Sequence, residues 1–190
     1  MSRAIGISRP TNTTAGETAT FSRRAAAFVF DWYVGALVTS LPIAYVAASL
    51  GRDMSDQAIA TFPAPLGLWA GIAGIVAGVL YYVAVPLLLG GQTAGKRLLH
   101  VRVVAADGDD AGIGAIVVRQ LVGIMLVEGA VVGTSTVLRE VVSMLTGASL
   151  SFPLLVAGFV ITLVSIGICG VRHDRRALHD LIAGTKVVDA

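Results

Sequence analysis

The chain is poor in the residues from which soluble active sites and metal centres are assembled: one cysteine, three histidines and 14% charged residues in 190 positions. Cys169 has no second cysteine for an intrachain disulfide or a thiolate zinc site, and reads as inert packing. The net charge is only +2, with neither a basic stripe nor an aromatic-interleaved basic patch, which excludes nucleic acid as a partner. The opening residues do not read as a secretory signal: they are rich in Ser, Thr, Gly and Asn, and the apolar run that follows is too long for a signal-peptide core. Residues 1–20 are therefore expected to form a flexible tail ahead of one membrane domain over 21–190.

What is present is apolar. Hydrophobic residues make up 55% of the chain and glycine contributes 22. Four runs, Ala25–Leu50, Leu66–Leu89, Ile113–Leu138 and Phe152–Val171, each reach the roughly 20 residues needed to cross a hydrocarbon core. They predict an all-α, polytopic membrane protein with four transmembrane helices. Twelve of the 14 Lys and Arg residues fall in the N-terminal region, the middle loop and the C-terminal tail, whereas Arg52 and Arg139 fall in the other two loops. The positive-inside rule then puts both termini and the middle loop in the cytoplasm, in the cell membrane. Pro63, Pro65 and Pro153 stand at helix entrances, and Pro42 inside the first run removes a backbone hydrogen bond.

Gly67/Gly71 and Gly74/Gly78 repeat a small-xxx-small spacing that lets two helices approach closely, as do Gly129 and Gly133. Whether these faces meet helices of the same chain or of another copy is open at this stage, and a homo-oligomer is one expected partner alongside the lipid bilayer. The middle loop predicts a short helix over Thr93–Leu99, then a strand at His100–Val104 before the Asp107-Gly108 turn. A second β-branched stretch, Thr185–Val188, is expected to pair with it as a ribbon in a small cytoplasmic cap.

Two motifs invite enzyme readings that their context denies. Gly90 to Lys96 matches Gly-x-x-x-x-Gly-Lys, but Arg97 replaces the magnesium-binding hydroxyl and a transmembrane helix, not a strand, precedes it. His173-Asp174 and His179-Asp180 lack the further converging ligands of a metal site and read as a solvated amphipathic segment. The chain is expected to be no enzyme, with no cofactor, metal or catalytic residue.

The informative ionisable groups are those inside the apolar runs. Asp31 lies seven residues after Arg24, on nearly the same helix face and about 10 Å further along the axis. At that depth it must be protonated, hydrated or paired, with Lys96 and Arg119 as candidate partners; a structural ion pair and a role in binding or proton exchange both fit. Glu128, nine residues after Arg119, would sit roughly 13 Å deeper on a continuous helix, beyond the reach of any basic residue. It reads either as a protonated interhelical hydrogen-bond donor or as a proton-exchanging group.

Three landmarks together resemble the RDD family of bacterial and archaeal membrane proteins, named for one arginine and two aspartates. They are Arg24-Ala-Ala-Ala27 with Asp31; Gly91 to Leu99 followed by Val101–Val104 and Asp107-Gly108; and Leu178 to Thr185. The resemblance assigns the arginine to Arg24 and the aspartates to Asp31 and Asp180, and includes Gly95 in the motif. It implies a transport role for unknown ligands, with some members linked to sodium/proton antiport.

The resulting expectation is secondary transport of a cation coupled to protons. Asp31 and Glu128 would be the coupling carboxylates, Arg24, Lys96 and Arg119 their charge partners, and Asp180 the anchor of the tail. The alternative is a non-transporting scaffold or assembly factor that binds partner helices.

Overall fold

The computed structural model describes residues 16–190. Three of its helices are long and apolar enough to cross a membrane: α1 (Phe21–Ser49), α2 (Leu66–Leu88) and a later one at Ser151–Val171. A shorter apolar helix covers Ile113–Val127. With helices of this length and composition, the chain is a multi-pass membrane protein. In order after α2 come α3 (Ala94–Leu98), β1 (Val101–Ala105), α4 (Ile113–Val127), α5 (Gly133–Thr146), α6 (Ser151–Val171), α7 (Leu178–Ala183) and β2 (Thr185–Asp189).

The third apolar run is not one continuous helix, contrary to the span expected over 113–138. From Val118 the helix widens to i→i+5 hydrogen bonds, ending with Glu128 N–H on the Gly123 carbonyl at 2.9 Å. The chain then leaves helical geometry until Gly133. A break among apolar helices frees backbone carbonyls that must find donors. Here Thr162 donates to the Glu128 carbonyl (2.6 Å), Arg139 to that of Gly129 (2.7 Å) and Trp32 to that of Val131 (2.5 Å). Arg139, expected in an outer loop, lies instead on α5, buried, with its guanidinium turned back to the break.

The glycine face of α2 is used within the chain. A Cβ on Gly71 would come within 2.6 Å of Ile59 Cδ1 and Val141 Cγ2, and one on Gly78 within 2.1 Å of Thr134 Oγ1 and 2.7 Å of Thr39 Oγ1. The stripe thus wedges α2 between α1 and α5, which are also joined by a 2.7 Å hydrogen bond between the Thr39 and Thr134 hydroxyls. Ile43, Ala47, Ile59, Phe62, Ala70 and Val141 form the core at this end.

The opposite end carries the cap. β1 and β2 pair antiparallel from Val101↔Asp189 to Ala105↔Thr185, as the two β-branched stretches predict. Gly16 and Ala19 donate backbone N–H groups to the carbonyls of Asp189 and Val187, and Asp189 donates to Glu17. Residues 16–19 therefore edge the ribbon and are not part of a free tail; residues 1–15 of that expected tail lie outside the described residues. Ala19, Ala27, Val101, Val103 and Val187 bury together beneath the ribbon and fix it to the start of α1.

Candidate functional site

Three buried carboxylates, Asp31, Asp180 and Glu128, sit where the cap meets the membrane helices. Asp31 is 3% exposed and is surrounded by donors. Its Oδ1 accepts from the Tyr81 hydroxyl (2.8 Å) and the Gly95 amide (2.7 Å); its Oδ2 accepts from the Thr93 hydroxyl and lies 3.3 Å from Lys96 Nζ. Of the two expected partners, Lys96 is therefore the one that pairs with it. Tyr82 adds a hydroxyl to the Asp31 backbone carbonyl at 3.1 Å.

The segment resembling a phosphate loop explains itself here. Thr93, Gly95 and Lys96 converge on an anion, but that anion is the carboxylate of α1. Gly95 must lack a side chain, because a Cβ would stand 2.5 Å from the Ala27 carbonyl oxygen and 3.0 Å from the Asp31 carboxyl. Burial pulls the Lys96 ammonium below its ordinary range; Asp31 opposes the shift and Arg119 reinforces it.

Asp180 is fully buried. Arg24 Nη2 donates to its Oδ2 at 2.5 Å and Arg119 Nε to its Oδ1 at 3.1 Å, so two guanidiniums share one carboxylate. Burial alone would raise the Asp180 pKa, but Arg119, His179 and Arg24 outweigh it and hold the carboxyl below the usual carboxylate range. Asp180 also accepts the Ala177 N–H at 3.2 Å, closing the first turn of α7. At the other end of that helix Gly184 turns the chain into β2 with a φ of +64°. The segment expected to be solvated is thus buried at its centre.

Glu128 has a basic neighbour after all. The break lets α7 reach it: the His179 amide donates to Oε1 (2.8 Å), His179 Nδ1 lies 2.8 Å from Oε2, and Ser165 of α6 donates to Oε1 at 2.7 Å. Ser165 also accepts the Leu178 N–H at 2.9 Å, so side chains from the membrane helices satisfy two of the amides at the start of α7. The isolated midplane position derived from a continuous helix does not hold.

Arg24, Asp31, Lys96, Arg119, Glu128 and Asp180 are therefore gathered at one junction. The sequence reading missed Tyr81 and His179, which arrive from 50 and 51 residues away, and Arg139, which holds the break. Tyr81 carries no local signal, being one of three aromatics in its apolar run, with Trp69 and Tyr82. His179 was visible only as half of a His-Asp dipeptide. Among the described residues no group of three His, Cys, Asp or Glu side chains is placed to hold a metal ion.

Comparison with curated proteins and with solved structures found no match. Comparison with protein families matches residues 18–184 to the RDD family, a stretch that includes Arg24, Asp31, Asp180 and every element from α1 to α7. Arg24, half-buried, pairs with the buried Asp180, the buried Asp31 lies two turns further along α1, and the chain belongs to the RDD family.

Proposed function

We propose that the protein is a non-enzymatic membrane assembly protein of the cell membrane, in which buried ion pairs bolt a cytoplasmic cap onto four crossings, the third of them broken at 128–132. One observation carries this reading: each buried carboxylate is already saturated by donors of its own chain, and each joins the cap to a membrane helix. A small cation needs oxygen acceptors around it, whereas Asp31 is ringed by two hydroxyl donors, an amide and an ammonium. Partner helices, a second copy included, would meet the outward face of α6, where Phe159 and Leu163 are more than half exposed.

A second reading keeps proton-coupled cation transport. It is favoured by the broken third segment, since discontinuous helices often line transport sites, and by the Glu128–His179 pair beside that break. Purified protein in proteoliposomes under a sodium or potassium gradient, with a pH-sensitive dye inside, decides between them. The assembly reading expects no proton-coupled flux above that of empty vesicles. Flux that vanishes in a folded Glu128→Gln variant would replace it with transport.

A further inference from the structure

A cavity of about 220 Å³ opens between α1 and α6, beneath the cap. Its walls are two helical stripes that face one another across a gap: Phe21, Arg24, Ala25 and Phe28 on α1, and Thr162, Ser165, Ile166 and Cys169 on α6. Both stripes follow the i, i+3/i+4, i+7 spacing of a single helix face. Side chains at the mouth belong to the lipid-facing surface, with Phe28 41% and Ile166 50% exposed.

The inner end is cationic. Arg24 and Arg119 both line the cavity, and Arg119 is 3% exposed. Each guanidinium gives one nitrogen to Asp180, and the Nη1 of each is buried with no hydrogen-bond partner among the described residues. Two positive charges on one carboxylate leave one in excess, and unmet buried donors are costly. Glu128 lines the same cavity, but His179 and Ser165 take up both of its oxygens. Lys96 also lines the cavity, but its ammonium is paired with Asp31 at 3.3 Å, so the surplus charge rests on the two arginines.

We propose that this cleft is a binding site for an anionic phospholipid, its phosphate accepting from Arg24 and Arg119 and the first part of one acyl chain lying between the stripes of α1 and α6. The cavity is smaller than the roughly 300–1,000 Å³ of a site that encloses a drug-sized ligand. It suits a headgroup and the start of a chain whose remainder runs along the outer helix faces. Two guanidiniums fix phosphate through several directed donors, which a zwitterionic headgroup with its own cation satisfies less well. The inference stands apart from the choice between assembly and transport, because it is read by binding and not by flux.

The test is thermal unfolding of the purified protein in detergent micelles with added phosphatidic acid, phosphatidylcholine or inorganic phosphate. Phosphatidic acid is expected to raise the midpoint saturably, with phosphatidylcholine at least tenfold weaker and inorganic phosphate without effect at equal concentration. Ala25→Trp fills the cleft without touching an ion pair, and should keep the lipid-free midpoint while weakening phosphatidic acid binding at least tenfold. If Ala25→Trp does not fold, Ile166→Trp blocks the cleft from the opposite, half-exposed wall. Equal stabilisation by phosphatidylcholine, saturation by inorganic phosphate alone, or undiminished binding by a folded blocking variant would each overturn the proposal.

Discussion

Asp31 and Asp180 are buried carboxylates at the same junction, held by different chemistry. Asp31 rests in a cage of mainly neutral donors, with a single ammonium at 3.3 Å. Asp180 is held by two arginines, one from α1 and one from α4. A neutral donor left without its acceptor loses one hydrogen bond, whereas a buried guanidinium left without its carboxylate is an uncompensated charge. The Asp180 cluster is therefore the more brittle joint and the Asp31 cluster the more forgiving one, although both fasten the cap.

Removing the anion from each cluster is the most direct way to break this contrast. Asp180→Ala strands Arg24 and Arg119 together and is expected to cost about 3–5 kcal/mol, the range for breaking a buried pair from one side. Thermal unfolding in detergent would show this as the largest fall in midpoint of any single change at the junction. A midpoint within error of the parent would mean that the two arginines have other acceptors in solution.

Acid sharpens the same point without a mutation. The folded pKa of Asp180 is depressed below its unfolded value of 3.8, so its stabilisation is complete above that value and is lost as pH falls below it. The parent should hold its midpoint from neutral pH to about pH 5, then lose it below about pH 4. Asp180→Asn should start lower and lack that share of the acid limb. An acid limb of equal depth in both proteins would assign it to other carboxylates.

Asp31→Asn should have the smallest effect of the three, about 1.5–3 kcal/mol, the usual worth of hydrogen bonds to a charged group. The amide oxygen still accepts from Gly95 or Thr93, while Lys96 loses its anion. A loss larger than that of Asp180→Ala, measured in the same unfolding series, would reverse the ranking and make Asp31 the principal fastening.

Of the Asp31 cage only the Lys96 pairing was legible beforehand, whereas the stretch from Gly90 to Lys96 reads in sequence as a phosphate-loop likeness denied by its context. What stayed hidden was that Thr93 and Gly95 bind the same carboxylate. α1, α2 and α6 follow from unbroken hydropathy, and the ribbon from two β-branched stretches. The break at 128–132 left no such trace. Gly129-Ala-Val-Val132 is as apolar as a spanning helix, and the groups that stabilise the break come from Trp32, Arg139 and Thr162, distributed along the chain. Hydropathy measures the cost of leaving water, and that cost is indifferent to whether the backbone is helical. Once the break is missed, Glu128 is placed too deep and its pairing with His179 cannot be seen.

The ribbon also imposes an order on biosynthesis. Asp31 can find Thr93, Gly95 and Lys96 as soon as the first two long helices and the following loop have left the ribosome. Arg24 must wait for Asp180, 156 residues later, and β1 must wait for β2. Arg24 awaits its carboxylate throughout that interval and Arg119 for the last 61 residues of it, while the intervening helices are being inserted. A nascent chain halted after residue 119 and before residue 180 would therefore carry Arg24 and Arg119 without the carboxylate that pairs them.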